Sequence, residues 1–361
     1  MKKKALIVAG GTGGHIFPAL AFGRWILDHG KAETVVYVSG NRPLEVEIYA
    51  SHGVEPHCLS MSGSPLGGGL WRNLRRCAGF FRSFIEAKSI LQRERPDVCF
   101  LFGSYVSLAP LLWCKWFGVP IVAHEQNACA GKVTRLASRM GVPVASGWNE
   151  CRGVEGAFHV GVPVRSFKKL SRQEAASVLG LKIENGDLVI GVVGGSLGSA
   201  SFLALIEKWA REMAEDKAKT AGRRLVFVVL GDKSGASFGS GVEFVGRRWD
   251  MAPFYSLCDC VVCRAGASTL AELEAFGIPA LAVPWSGAAD DHQEANARCF
   301  SSITGNPVWI EGERGEGGLE NAFDKLLERI PIAGRLADDF VNDAASSALW
   351  RFGEEKFPSL V

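Results

Sequence analysis

The sequence predicts an α/β protein made of two doubly wound domains that face each other across a cleft. Three observations predict it. The chain has 361 residues, which is long for one core, since domains of about 150 residues are the usual unit. Short apolar runs rich in β-branched residues alternate with helix-length segments, the pattern of parallel sheets covered by helices on both faces. The chain also echoes itself. Residues 4–26 read KALIVAGGTGGHIFPALAFGRWI and residues 188–209 read LVIGVVGGSLGSASFLALIEKW. Each is a buried strand, a glycine turn carrying a hydroxyl residue, and an apolar-periodic helix.

The elements follow in order. MKKKALIVAGG opens with three lysines, but its apolar run, Ala5 to Ala9, stops at glycines. A secretory core needs about 7 to 15 apolar residues, so this reads as a first strand behind solvated lysines. ETVVYVS, DVCFLFG and PIVAHE continue the first half as strands. LVIGVV, RLVFVVLG, VEFVG, DCVVC and PALAVP are the counterparts in the second half. GRWILDHG and GASTLAELEAFG read as helices. SGSPLGGGL, residues 62–70, is a loop, and GVPVRSFKKLSRQEAA, residues 161–176, is the linker. The predicted boundaries are 1–163 for the first domain and 164–335 for the second. Residues 336–361 form a C-terminal helix returning toward the first domain. No segment supplies the roughly 20 uninterrupted apolar residues of a membrane span.

Composition narrows the function classes. A net charge of +2 gives no general field for nucleic acid, so any cationic site is a local patch. Ten cysteines at irregular spacing read as reduced thiols rather than a disulfide framework. Cys258, Cys260 and Cys263 form CxCxxC without a fourth ligand at a sensible spacing, so they read as small buried hydrophobes and no metal site is expected.

The glycine turns are the candidate binding features. A helix N-terminus exposes unpaired backbone N–H groups and about half a positive charge, which favours phosphate. Neither turn is a common nucleotide motif. GxGxxG requires glycine where Ile16 stands, and no GxxxxGK[ST] is present. The second turn, Gly194 to Gly198, does satisfy GxSxG. With His292 downstream it raises a hydrolase alternative with Ser196 as nucleophile. That alternative leaves the first turn unexplained.

Several motifs in order carry a resemblance: GGTGGHIFPALA at 10–21, SYVSLAP at 104–110, HEQNACAGKVTR at 124–135, GVPVR at 161–165, GGSLGS at 194–199, CRAGASTLAE at 263–272 and DHQEANA at 291–297. Nearly end to end, the chain resembles the MurG family. These are peripheral membrane glycosyltransferases of the GT-B fold, with two Rossmann-like domains. They move N-acetylglucosamine from UDP-N-acetylglucosamine to the 4-hydroxyl of lipid I, giving lipid II for peptidoglycan. The resemblance implies that the donor sits mainly on the second domain. Ser196 and Arg165 would meet its phosphate or sugar region, beside Arg264, Ala267, Ser268 and Thr269 of the CRAGAST turn. Glu272 would take the ribose hydroxyls, backbone near Phe244 and Val245 the uracil, and His292 and Gln293 the sugar hydroxyls. Asn127 would face the donor from the first domain. Thr12, Gly13 and Gly14 would serve a diphosphate, with Tyr105 and His15 on the acceptor side. Two departures stand out: many relatives have Gln at Leu197, and a glycine pair where this chain has Phe102-Gly103-Ser104.

The implied reaction is an inverting displacement of UDP, which needs a base for the hydroxyl and a sink for the leaving charge. Histidine, with an ordinary pKa of about 6.5, suits the first task. His15 is therefore either the base or acceptor contact, or else a helix cap or phosphate contact. In His124-Glu125, His124 reads as structural and Glu125 as an accessory catalytic group. Helix N-termini and an arginine would stabilise the leaving diphosphate without an obligatory cofactor or metal. Residues 70–91 read as a basic amphipathic helix. Leu70, Trp71, Leu74, Phe81 and Phe84 lie at helical spacing, with Arg75 and Arg82 among the charges, as suits an anionic bilayer surface. The implied partners are lipid I, that surface and cell-wall synthesis proteins, at the cytoplasmic face of the bacterial inner membrane. The competing readings are another GT-B lipid glycosyltransferase and a UDP-N-acetylglucosamine 2-epimerase.

Overall fold

The computed structural model describes residues 3–61, 70–194 (70–78 by backbone alone), 202–206, 209, 222–231, 241–285, 287, 291–314, 318–330 and 343–360. The contact pattern divides the chain into two compact units. One comprises Met1–Arg165 with Asn342–Val361, the other Ser166–Val341.

The first unit is built on strands β1 (Lys4–Val8), β2 (Thr34–Ser39), β3 (His57–Cys58), β4 (Val98–Leu101), β5 (Ile121–Glu125), β6 (Val144–Ser146) and β7 (Phe158–His159). They lie in the order β3-β2-β1-β4-β5-β6-β7, and each pair is parallel. β1 is buried along four of its five residues, which is why it reads as a continuous apolar run rather than an alternating one. Five helices connect the strands: α1 (Gly13–Asp28), α2 (Pro43–Ser51), α3 (Leu70–Glu94), α4 (Leu108–Phe117) and α5 (Lys132–Arg139). Chain order reverses between β1 and β4. The carboxyl ends of those two strands therefore open a crevice, the position where doubly wound sheets bind ligands. The glycine turn after β1 and the Phe102-Gly103-Ser104 turn after β4 both lie there.

The second unit opens with α6 (Arg172–Leu179). Its strands are β8 (Leu188–Val193), β9 (Leu225–Leu230), β10 (Val242–Phe244), β11 (Cys260–Cys263) and β12 (Ala280–Ala282), parallel in the order β10-β9-β8-β11-β12. Renumbered from its own first strand, this is the order of the first five strands of the other sheet. The sequence echo is thus an echo of topology, and the second switch point lies between β8 and β11. Among the described residues, helices α7 (Ala252–Leu257), α8 (Ala267–Phe276), α9 (His292–Thr304) and α10 (Leu319–Leu327) follow in the unit. Phe202, Trp209 and Phe323 fill its core beneath the sheet, with Trp209 edge-on to Phe323 at 4.2 Å.

The last helix, α11 (Ala344–Lys356), belongs to the first unit. Trp350 packs on Phe100 and Phe352 stacks on Phe158 at 5.2 Å. Fully burying such side chains contributes roughly 1.5–3 kcal/mol each. Two expectations need correction. The linker ends earlier than residue 176, because Ser171 and Glu174 form a capping box that starts α6 at Arg172. The sequence Ser-Arg-Gln-Glu carried that signal. Short strands β3, β6 and β7 were not expected, since two or three residues are too few to show a period.

Candidate functional site

In the first unit the chain leaves β1 into Gly10–Gly14 and enters α1 at Gly13. Thr12 is the N-cap residue, in extended conformation, and its side chain makes no capping bond. A buried carboxylate, Glu45 of α2, latches this turn from below. It accepts from the Gly11 N–H, from the Tyr105 hydroxyl at 2.9 Å and from the Arg42 N–H at 2.9 Å. A Cβ on Gly10 would come within 2.8 Å of the Glu45 carboxylate, and one on Gly40 within 2.5 Å. Glycine is therefore required at both places to admit the carboxylate. Glu45 escaped the sequence reading, as its partners are 34 and 60 residues away. Tyr105, expected on the acceptor side, spends its hydroxyl on Glu45 and carries the Arg42 guanidinium 4.7 Å over its ring. Burial and the Glu45 charge push its phenol upward, so it remains a donor.

The turn after β4 is strained. Gly103 has φ 76°, and the next residue, Ser104, has φ 69° and ψ 166°. That region is essentially reserved for glycine.

His15 is the third residue of α1. Its ring lies against Gly103, where an added Cβ would come within 3.5 Å of it, and Nδ1 is 2.9 Å from Oε1 of Gln126. Gln126 also donates to His124 Nδ1 at 3.0 Å and to the His124 carbonyl at 3.1 Å. His124 is completely buried, and burial pushes its pKa down to about 4. Its place as a structural node agrees with the sequence reading.

Glu125 departs from the catalytic role expected of it. It is buried, and its oxygens accept from the Asn127 N–H (3.1 Å), Asn127 Nδ2 (3.2 Å), the Gly131 N–H (3.0 Å) and the Thr134 hydroxyl (2.7 Å). Four donors on two oxygens make it the organiser of the loop between β5 and α5. The Asn127 side-chain amide is correspondingly turned onto Glu125. Arg165 falls in the first unit rather than with the donor residues. Its guanidinium lies 4.2 Å over Phe17 of α1, and Nη1 donates to His52 Nε2 at 3.3 Å.

In the second unit β11 runs into Arg264-Ala265-Gly266 and α8. Arg264 is only 4% exposed. It is held by the Val283 and Pro284 carbonyls, by Glu311 at 2.6 Å and by Phe202 under its plane at 4.5 Å. Its Nε and Nη2 are buried without a hydrogen-bond partner among the described residues. This is a fixed cation carrying unspent donors. Ala267, Ser268 and Thr269 form the first turn of α8, whose N–H groups the helix itself does not use; the ladder starts at Leu270. Glu272 is buried one turn on and accepts from the Tyr255 hydroxyl at 2.9 Å. His292 is the first residue of α9, Gln293 accepts from the Trp285 N–H at 2.9 Å, and Asn296 ties α9 to the Ala265 carbonyl. Arg264, Ser268, Thr269 and Glu272 thus come together around one helix start. Val245 is the exception: its N–H is already donated to Val229 and its carbonyl accepts from Arg248. It has no spare donor for a base. Ser196 and Leu197 lie outside the described residues. Cys258, Cys260 and Cys263 are buried, and burial pushes the Cys263 thiol up to about 12.

The basic helix is α3. Phe81 and Ile85 are 69% and 67% exposed, and Arg82 reaches Glu86 at 3.0 Å. Phe84, expected on the same surface, turns inward against Trp113 at 4.8 Å. Four residues make slightly more than one turn, so Ile85 continues Phe81 and Phe84 does not. Neighbouring α4 adds Trp116, 79% exposed, which the sequence reading missed. The side chains of Leu70, Trp71, Leu74 and Arg75 lie outside the described residues. Among the described residues no helix is long and apolar enough to cross a membrane.

Comparison with known proteins places this geometry. Residues 5–145 match the glycosyltransferase family 28 N-terminal domain and residues 189–337 its C-terminal domain. A UDP-N-acetylglucosamine–N-acetylmuramyl-(pentapeptide) pyrophosphoryl-undecaprenol N-acetylglucosamine transferase of Neisseria meningitidis is 36% identical over 306 residues, 82% of each chain. The enzyme of that name from Magnetococcus marinus is 34% identical over 358 residues, 95% of this chain and 94% of its own. The crystal structure of Acinetobacter baumannii MurG superposes with a TM-score of 0.66 at 24% identity, covering 96% of this chain and 98% of that one. With two parallel-sheet α/β units and these relatives, the chain belongs to the MurG family of N-acetylglucosamine transferases, within glycosyltransferase family 28.

Proposed function

We propose that this protein transfers N-acetylglucosamine from UDP-N-acetylglucosamine to the 4-hydroxyl of the lipid-linked N-acetylmuramyl-pentapeptide acceptor, with inversion. The observation that carries this reading is the alignment, over 82% to 95% of the chain, with relatives named for that activity. The second unit holds the donor. Glu272 takes the ribose hydroxyls, and Arg264 with the first turn of α8 stabilises the diphosphate as it leaves. The first unit handles the acceptor. The glycine turn offers backbone N–H groups to the acceptor diphosphate, and His15 takes the hydroxyl proton. As the acceptor oxygen bonds to the anomeric carbon, the bond to UDP breaks and UDP departs with the electron pair.

The exposed apolar residues Phe81, Ile85 and Trp116, with Arg82 on α3, form the membrane-facing surface. A polyprenyl acceptor requires the enzyme to work at a bilayer, and exposed aromatics beside cations suit an anionic interface. UDP release, measured with and without a short-chain lipid I analogue, tests the transfer. Release that requires the analogue and yields a disaccharide product is the expected outcome. Donor binding without acceptor-dependent release would move the assignment to another acceptor or to epimerisation. Cosedimentation with phosphatidylglycerol vesicles tests the surface; no binding at low salt would refute it.

A further inference from the structure

Two hydrogen-bond acceptors that cannot donate decide where the protons lie beside His15. The first is the Gly161 carbonyl, 2.8 Å from Nε2 of His124. A carbonyl only accepts, so His124 carries its proton on Nε2. The ring is buried and its pKa is pushed down to about 4; neutral imidazole has one N–H, so Nδ1 of His124 presents a lone pair. The second is the carbonyl of His124 itself. One end of the Gln126 amide lies 3.1 Å from that oxygen and 3.0 Å from the His124 Nδ1 lone pair. Both are acceptors, so that end is the NH₂ group. The amide oxygen therefore faces Nδ1 of His15, at 2.9 Å, and Nδ1 of His15 must be the donor.

We propose that Gln126 and His124 are positioning residues that lock neutral His15 into one tautomer, with its proton on Nδ1 and its lone pair on Nε2. The chain of bonds runs from His15 Nδ1–H to Gln126 Oε1, from Gln126 Nε2–H to His124 Nδ1, and from His124 Nε2–H to the Gly161 carbonyl. All four residues belong to the first unit. Gln126 is 1% exposed and cannot swing away without leaving buried polar groups unpaired. Among the described residues, Nε2 of His15 has no hydrogen-bond partner.

The lock rests on the reading of His15 as the base, and it specifies the atom. As the acceptor oxygen–hydrogen bond breaks, the proton goes to Nε2, while the oxygen bonds to the anomeric carbon and UDP leaves with its electron pair. The lock also closes the far side of the ring. A carboxylate on Nδ1 could share the positive charge, but a primary amide does not take the proton. The proton gained at Nε2 must leave from Nε2. Which ring nitrogen is free is ordinarily set by the bond the other makes, and here that bond is fixed by two carbonyls through two buried side chains.

The test is nitrogen-15 NMR of the histidine rings in the full-length protein, with His15 assigned by its loss in His15→Ala. We expect a protonated Nδ1 and an unprotonated Nε2 in the unmodified protein. Gln126→Ala should release the ring to a mixture of tautomers. It should lower kcat at least tenfold and leave the dissociation constant for UDP-N-acetylglucosamine unchanged. Gln126→Glu keeps an acceptor on His15 Nδ1 but turns its second oxygen toward the His124 Nδ1 lone pair and carbonyl, so it should keep the tautomer without restoring full kcat. A neutral His15 ring with its proton on Nε2 in the unmodified protein overturns the lock without reference to any variant's folding. So does a Gln126→Ala protein with unchanged kcat. The expected tautomer combined with normal turnover in His15→Ala overturns the base reading itself and removes the catalytic use of the lock.

Discussion

The two switch points of this molecule have the same strand order and opposite chemistry. At the first, between β1 and β4, the groups around the helix start are a histidine, a glutamine and buried carboxylates already spent on backbone and side-chain donors. At the second, between β8 and β11, they are a buried arginine with donors unspent among the described residues and a glutamate held by a tyrosine. On the proposed function, one turn manages a proton and the other the charge and hydroxyls of a nucleotide. Topology repeats because βα units close in few ways. Function differs because a handful of side chains at the strand ends were chosen differently. Substitutions at the first turn should therefore act on folding or turnover, and those at the second on donor binding.

The largest effect expected is at Glu45. Glu45→Ala leaves the Gly11 and Arg42 N–H groups and the Tyr105 hydroxyl without their acceptor. At about 1–3 kcal/mol for each buried unsatisfied group, a loss of about 3 kcal/mol should appear in the urea midpoint, with donor affinity retained. An unshifted midpoint would show that the turn stands without its latch. Next is Glu272→Ala, which on the proposed function removes charge-assisted bonds to the ribose. Such bonds contribute about 1.5–3 kcal/mol, so donor affinity measured by calorimetry should fall by about tenfold or more. Unchanged affinity would detach Glu272 from the nucleotide.

The comparison is sharpened by pH. His124 has a folded pKa of about 4 against an ordinary value of 6.5. Between those values the unfolded chain binds a proton that the folded chain refuses. Stability should fall as pH drops from 6.5 toward 4, by up to about 1.4 kcal/mol per pH unit, and His124→Gln should flatten that slope. Equal slopes in both proteins would mean that His124 is not the group responsible. The smallest effect is at Ser104, whose φ of 69° costs of order 1 kcal/mol or more in a non-glycine residue. Ser104→Gly should raise the melting temperature by a few degrees; a lower one would mean that the serine side chain contributes more than its backbone costs.

Much of the fold was legible because its elements carry local signals. β1, β8 and β9 are uninterrupted apolar runs ending in glycine, and α8 begins and ends at glycines that the sequence displays. Strands of two or three residues, such as His57–Cys58, carry no such signal; their neighbours in the sheet make them strands. The placement of His15, Arg264 and Glu272 at or near helix starts was legible, since they sit on motif turns. Hydrogen-bond partners remote in sequence were not legible. Glu125 stands in a motif that suggests chemistry, yet its role is set by Thr134 and Gly131 closing on it. Gln126 stands in the same motif, and only the fold brings His15, 111 residues away, against it. Phe81 and Phe84 looked alike at helical spacing until α4 covered one of them.

The most direct test of the division between the two turns is a paired measurement on His15→Ala: acceptor-dependent UDP release, and the affinity for UDP-N-acetylglucosamine. Turnover reduced at least tenfold with donor affinity unchanged is the expected result, and it assigns the proton to the first turn and the nucleotide to the second. Near-normal turnover, or a loss confined to donor affinity, would contradict it.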